Sequence, residues 1–358
     1  MDLGVILGDV HSTLSPREHL DGLLRQVEAA QRNGVRYIVM GHHYIYGNLR
    51  WLQPIPTLAR IAAELDPGVK IGTMVVQVPL FHPVALAEEL ATLDILTRGN
   101  LIVGAGAGYR REEFAAFGVD FDRRFAMMDE ALQIIRLMWT QDEVDFHGRF
   151  WRLDRVKTHI RPWQDPHPPI WIGALKDSGV RRSARLGDAW PVTPETRTDD
   201  MHRMFGVYAA ARHKHGRPPV ARHPLRREIV PGATTEDAFR RFESMARERL
   251  LAYAQRELDT RDATALTERF RQVAAAEAIV GTPDDCLGQL RALAAQVPVD
   301  PVIVRAQWPD MTADDVVAYL DDLGRDIVPG MREIVSIDAR TMVAPSAMAS
   351  TSPTGEVR

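Results

Sequence analysis

Residues 102–114 read IVGAGAGYRREEF, with Gly104, Gly106 and Gly108 directly after an apolar run. The dinucleotide-binding fingerprint is G-x-G-x-x-G, on the turn from a strand into a helix. Here the third glycine comes one position early, and the stretch begins about a hundred residues into the chain, whereas that fingerprint usually follows the first strand of its domain. The spacing therefore argues against a dinucleotide loop. It describes a buried strand whose end lacks side chains, so that backbone or a flat ligand can come close.

Short apolar runs alternate with amphipathic segments on both sides of this strand. Strands are expected at 3–7, 37–40, 70–78, 101–106 and 169–174, with helices at 17–32, 54–65, 83–97, 125–139 and near 179–186. The second half is less regular: strands at 227–232, 278–281 and 301–306, helices from 283 and at 313–328, and long charged helices over about 235–277. Runs rich in Val and Ile without polar alternation imply a parallel sheet covered on both faces. Repeated βα units over 358 residues favour an α/β fold, a (β/α)8 TIM barrel, over two domains. The expected organisation is one barrel domain over 1–335. The stretch at about 235–277 reads as a helical insertion outside it, a lid or association surface. A polar tail over 336–358 reads as disordered.

Composition bounds the partners. A net charge of -4 gives no reason to expect nucleic acid or an anionic membrane. One cysteine, Cys286, excludes a disulfide framework and a cysteine-rich metal site. There is no basic N-terminal region leading into an apolar segment, and no long apolar span, so a cytoplasmic protein is expected.

In a barrel the site lies where the strands end. After the second strand comes GHHYIYGN, with His42 and His43 adjacent; a loop histidine there is an acid–base candidate, or one ring packs while the other is exposed. No neighbouring Asp, Glu or Cys completes a metal set. After the third strand, Phe81 and His82 either wall a flat ligand or belong to a stiff turn, with Pro83 starting a helix. After the fifth, Gly173, Ala174, Leu175, Lys176, Ser178 and Gly179 either meet a phosphate at a helix N-terminus or form an ordinary cap by Asp177 or Ser178. Arg110 and Arg111 face a phosphate or pair locally with Glu112 and Glu113. Trp51, Phe81, Tyr109 and Trp190 make an aromatic pocket or core packing.

With these pieces placed, the chain resembles the bacterial luciferase-like flavin monooxygenases over about residues 3–330. The resemblance is carried in order by GHHY (41–44), HPVALAEELATLDILTRGNLIVGAGAGYRREEFAAFGV (82–119), RFAMMDEALQIIRLMW (124–139) with FHGRFW (146–151), PPIWIGA (168–174) with ARLGDAW (184–190), and IVGTPDD (279–285). It implies an eight-stranded barrel with reduced FMN, or a deazaflavin (coenzyme F420), across the strand ends. The glycine strand becomes strand four, with Gly106 and Tyr109 beside the flavin. A non-proline cis peptide is implied near Val75, Val76 and Gln77. Phosphate falls to the strand-five loop named above, the active-site histidine is His42, and His43, Phe81 and Trp190 line the substrate pocket. Departures are Gly41 where an acidic residue often precedes the histidine, Ala107 where bacterial luciferase has a phosphate-contacting arginine, and Tyr109 where deazaflavin-dependent sugar-phosphate dehydrogenases have a glutamate. The phosphate's cation would then be Lys176, Arg110 or Arg181.

The expected activity is oxidation of a small organic substrate with reduced FMN and O₂. With no second nucleotide fingerprint in the chain, a separate flavin reductase would supply the reduced flavin. The alternatives are a deazaflavin-dependent hydride-transfer oxidoreductase and a non-catalytic flavin-binding subunit. The resemblance also implies a homodimer or homotetramer.

Overall fold

A computed structural model describes residues 1–8, 10–11, 13–258 and 278–341. Seven parallel strands form one sheet: β1 (Leu3–Leu7), β2 (Tyr37–Met40), β3 (Lys70–Gln77), β4 (Leu101–Gly106), β5 (Ile170–Ile172), β6 (His223–Arg226) and β7 (Val299–Arg305), in the order β6-β7-β1-β2-β3-β4-β5. The order is cyclic in sequence, as in a barrel. Residues 189–192 complete the circle. Ile172 N–H donates to Ala189 C=O (3.1 Å), Val192 N–H to Pro224 C=O (2.8 Å) and Arg226 N–H to Val192 C=O (2.9 Å), so this segment joins β5 to β6.

Helices cover the outside: α1 (Pro16–Arg32), α2 (Pro54–Ala62), α3 (Pro83–Leu96), α4 (Arg111–Ala116), α5 (Arg124–Thr140), α6 (Asp177–Leu186), α7 (Thr198–Lys214), α8 (Thr235–Leu258), α9 (Pro283–Gln296), α10 (Ala313–Asp326) and α11 (Val328–Arg332). Their starts follow local chemistry. Ser15 caps α1 and Glu18 reaches back to the Ser15 N–H (2.9 Å); Thr282 with Asp285 and Thr312 with Asp315 make the same reciprocal bonds on α9 and α10. The strands bury apolar side chains on both faces, Val5, Ile38 and Val302 on one and Ile6, Val39 and Ile303 on the other, all at 4 % exposure or less, as a covered parallel sheet requires.

The glycine strand finds its explanation in β3. Between Thr73 and Val76 the β3–β4 register shifts: three steps on β3 match two on β4, a bulge that contains the cis peptide Met74–Val75. A methyl group on Gly104 would overlap the Thr73 carbonyl, and one on Gly106 would overlap the Val75 side chain. Gly108, at φ +76°, sits against Gln77 and Phe114. Gly104 and Gly106 leave room for the bulged neighbouring strand, and Gly108 for the side chains of Gln77 and Phe114.

Three regions differ from expectation. An antiparallel hairpin, Glu143–His147 with Arg152–Lys157, carries the FHGRFW turn. The helix α7 and strand β6 lie in the polar stretch before 227. The charged stretch after 234 begins as α8, whose Ala238, Phe242 and Ala246 pack on Val230, Ala278 and Val280 of the small parallel pair Glu228–Pro231 and Ala278–Gly281. That portion covers strands like any barrel helix. The remainder of the expected insertion, 259–277, and most of the expected tail, 342–358, lie outside the described residues. The tail's first residues are tied down: Ser336 Oγ donates to Val297 C=O (2.8 Å) and accepts from Val299 N–H (2.9 Å). Among the described residues no helix is long and apolar enough to cross a membrane.

Candidate active site at the strand C-termini

A cavity of about 210 Å³ opens at the C-terminal end of the barrel. Its lining comes from Ile6 on β1, Gly41, His42, His43 and Trp51 after β2, Met74, Val75 and Gln77 on β3, Gly108 and Tyr109 after β4, and Arg226 and Arg305 on β6 and β7. Gly41 is small because Trp51 lies on it, 2.9 Å from where a Cβ would stand.

His42 is buried between the rings of Tyr44 (centroids 4.5 Å apart) and Phe81 (5.6 Å). The backbone N–H of Gln77 donates to its Nδ1 (3.1 Å), and the Gln77 amide donates back to the His42 carbonyl (3.1 Å). An accepting Nδ1 leaves the proton on Nε2. Burial pushes the imidazole down to about 4, with the Gln53 amide acting in the opposite sense. His42 is therefore a neutral N–H donor at pH 7. Its Nε2 and the Oε1 of Gln53 are both buried without a hydrogen-bond partner.

His43 is held differently. Its Nδ1 lies 2.9 Å from Oε1 of Glu113, whose side chain is completely buried at the start of α4. The same oxygen accepts the Tyr44 backbone N–H (2.8 Å), and Arg110 stands 3.7 Å away. Burial alone would raise the Glu113 carboxyl, but the bonds from His43 and the Tyr44 N–H outweigh it and the net shift is downward. An ionised Glu113 only accepts, so His43 Nδ1 carries a proton and, in the neutral ring, Nε2 is the acceptor. The Tyr109 hydroxyl lies 3.3 Å from that Nε2. Trp51, Tyr46 and Tyr109 surround the His43 ring with centroids at 4.9, 4.7 and 5.4 Å. Arg110 stacks on Tyr46 (4.3 Å), and Arg111 pairs instead with Asp122 (3.1 Å). On the opposite wall Glu228 binds Arg226 (2.7 Å) and the Arg305 backbone N–H (2.7 Å), which ties β6 to β7.

Beside the cavity lies the strand-five loop. Gly173, Leu175, Lys176 and Ser178 are exposed, and Ala174 is buried. Neither Asp177 nor Ser178 caps α6: Lys176 occupies the N-cap position without a side-chain bond, so the helix starts with its first-turn N–H groups uncapped by side chains. Gly179 lets α6 lie close on Ala174, whose Cβ would be 2.9 Å from an added methyl.

Residues 1–300 match the luciferase-like monooxygenase family model. The chain belongs to that family. Among curated proteins it is 28 % identical over 196 residues to a phthiodiolone/phenolphthiodiolone dimycocerosates ketoreductase of Mycobacterium bovis, covering 54 % of this chain and 51 % of that one. The chain spans about half the length of the curated relatives it matches. Among solved structures, the oxygenating constituent of 3,6-diketocamphane monooxygenase from Pseudomonas putida, in complex with FMN, superposes with TM-score 0.77 at 18 % identity, covering 94 % of this chain and 99 % of that one. An F420-dependent secondary alcohol dehydrogenase, solved with an F420–acetone adduct, superposes with TM-score 0.70 at 16 % identity, covering 92 % and 99 %. At these identities the likeness is one of fold.

The expected site residues divide into three groups. His42, His43, Val75, Gln77 and Tyr109 meet at the cavity. The strand-five residues flank it without lining it. Val76, Gly106, Phe81 and Trp190 do not line it. Val76 is wholly buried in the core, and Gly106 lies behind Val75. Phe81 packs beside His42 just after β3, and His82 caps α3 with Pro83 at its first turn. Trp190, expected in the substrate pocket, is completely buried against Phe205 and donates Nε1–H to the Ala174 carbonyl (3.0 Å). It holds the strand-five loop from behind. Reading residue by residue misses Glu113, Arg226, Arg305 and Glu228. Glu113 sits 70 positions from His43 and reads locally as a partner for Arg110, so no sequence signal joins it to the histidines.

Proposed function

We propose that the protein is a flavin-dependent monooxygenase that uses reduced FMN and O₂ to oxidise a small organic substrate. The observation that carries this reading is His42: a buried, neutral imidazole with Nε2–H at a cavity on the barrel mouth. A neutral imidazole N–H is a strong hydrogen-bond donor and a very weak acid. It stabilises an oxygen gaining negative charge without giving up its proton, and early proton delivery is what wastes reduced oxygen as hydrogen peroxide. The walls around it keep bulk water away.

The residues fit a flavin in two places. The cavity is below the roughly 300–1,000 Å³ of a typical cofactor pocket, so it admits part of a ring system, over Val75 and Gln77 with His42 at the edge. The remaining chain and its phosphate would run along Gly173, Leu175 and Ser178 to the uncapped first turn of α6, with Lys176 or Arg181 as cation. Bound reduced FMN supplies two electrons to O₂. The chain's own residues bind it, exclude water and hold the proton at His42 Nε2. A separate reductase would supply the reduced flavin, and the protein would work in the cytoplasm as a homodimer or homotetramer.

One observation favours a second reading, hydride transfer from a deazaflavin. Tyr109, backed by His43, presents a hydroxyl of the kind that protonates a carbonyl, and one curated relative is named a ketoreductase. Anaerobic titration with reduced FMN and with reduced deazaflavin, followed by air, separates the two. Selective FMN binding with rapid oxygen consumption supports the monooxygenase. Selective deazaflavin binding without oxygen consumption replaces it with the second reading.

A further inference from the structure

The cavity holds two histidines with opposite wiring, and only one of them connects outward. His42 has its basic nitrogen occupied by the Gln77 N–H. The basic nitrogen of His43 faces the Tyr109 hydroxyl. Behind His43 stands a buried carboxylate, fixed at one oxygen by His43 Nδ1 and the Tyr44 N–H. In front of it Tyr109 stands at the rim and lines the cavity, its hydroxyl between His43 and Tyr46.

We propose that Tyr109, His43 and Glu113 form a proton relay for a substrate that presents a hydroxyl, or the carbonyl derived from it, at the cavity mouth. This rests on the cavity being the active site and holds for either flavin. In the deprotonating direction the substrate O–H bond breaks and its proton bonds to Tyr109 Oη. The Tyr109 O–H bond breaks in the same step, and that proton bonds to His43 Nε2. The electron pair of the broken O–H bond stays on the substrate oxygen. The relay leaves an imidazolium whose charge is opposed by the Glu113 carboxylate at Nδ1. Reversing each transfer delivers a proton to a carbonyl oxygen. Tyr109 is the catalytic residue; His43 and Glu113 are positioning residues that keep a proton acceptor behind it.

The groups around the relay set its sign. From the loop after β2 come His42, Tyr44 and Tyr46; from the segment after β4 come Arg110 and Glu113; across the cavity are Arg226, Arg305 and Glu228. Glu113 is the anion in direct contact with His43, so its removal takes away both the acceptor that selects the ring tautomer and the counter-charge of the imidazolium.

The test uses the full chain and two readouts. Ring ¹⁵N spectra of histidine-labelled protein, assigned with His42→Gln and His43→Asn, are expected to show His42 protonated at Nε2 and His43 at Nδ1. Tyr109→Phe should move the His43 Nε2 resonance, and Glu113→Gln should scramble the His43 tautomer while Glu113→Asp retains it. With flavin bound and a panel of secondary alcohols and ketones supplied as hydroxyl and carbonyl probes, Tyr109→Phe should slow turnover of the probe by about 100-fold, within the range of general acid–base catalysis, with flavin affinity changed less than about 2-fold. Glu113→Gln should shift the pH profile of that reaction, and Glu113→Asp should restore it in part. Protonation of His43 at Nε2, a tautomer indifferent to Glu113, or a Tyr109→Phe profile superimposable on that of the unmodified protein overturns the relay. Absence of reduced-FMN binding to the unmodified protein counts against the monooxygenase reading, while the ring spectra still decide the relay.

Discussion

At Gly104 there is no side chain because there is no room for one. The repeat was legible as a demand for close approach, since three glycines at a strand end serve little else. What approaches was not legible: the intruder is the β3 bulge, 30 residues upstream, and the cause is a register shift that no local pattern encodes. Gly104→Ala is therefore expected to cost about 3 kcal/mol, the upper end of over-packing penalties, because its methyl meets main chain at Thr73. Urea unfolding measures this, and an unchanged midpoint would mean that β3 moves aside freely. A second prediction concerns protons. Burial holds His42 down to about 4, and burial, with help from Arg212, holds His223 down to about 3, against an ordinary 6.5. For a histidine whose folded value is depressed, the unfolded chain binds more protons in the window between the two values. Stability is thus full above about 6.5 and falls as pH drops, each ring contributing a slope of about 1.4 kcal/mol per pH unit. Unfolding free energies measured between about pH 5 and 6.5, above the range where carboxylates titrate, should show this decline. A flat profile would show that both rings protonate without unfolding.

The elements were legible where periodicity was clean. Strands β1 to β4 and helices α1, α3 and α5 lie within a residue or two of their expected bounds, because apolar runs and proline or serine starts mark them. Strand β6 and helix α7 were not expected, since HPLR has too few apolar residues and α7 carries charge through a half-buried face. The FHGRFW turn shows no alternation clean enough to announce a hairpin. At the strand-five loop the pattern GALKDSG showed a helix start, but which residue supports it from behind depends on tertiary packing. Trp190 does so through its bond to Ala174 and its contact with Phe205. Trp190→Phe keeps a ring and removes the bond. It is expected to destabilise the protein by about 1–2 kcal/mol, a lost buried hydrogen bond with some lost volume. It should also weaken reduced-FMN binding several-fold by loosening the loop that approaches the phosphate. Unchanged flavin affinity alongside reduced stability would separate the loop from cofactor binding.

At the scale of the molecule, the barrel follows from counting βα units, yet its closure does not. Between β5 and β6 the stretch DAWPV (188–192) is too short, and broken by Pro191, to read as a strand. It closes the circle because it is hydrogen-bonded on both sides, to Ile172 and to Pro224 and Arg226. The relay Tyr109–His43–Glu113 has the same origin: closure curls the sheet so that the segments after β2 and β4 converge over its mouth. A closed barrel unfolds as a unit, because a barrel without edges has no strand that can fray alone. The amides of Ile172, Val192 and Arg226 are expected to exchange with solvent as slowly as those in the centre of β1 and β2, within about tenfold. Amides on the exposed hairpin Glu143–His147 with Arg152–Lys157 should exchange far sooner. Val192→Pro removes one seam donor and should speed exchange at Arg226 and Ile172 together. If the seam amides exchange orders of magnitude faster than the central strands in the unmodified protein, residues 189–192 form a flap over an open sheet, and the cavity beside it would have to be read as a gated one.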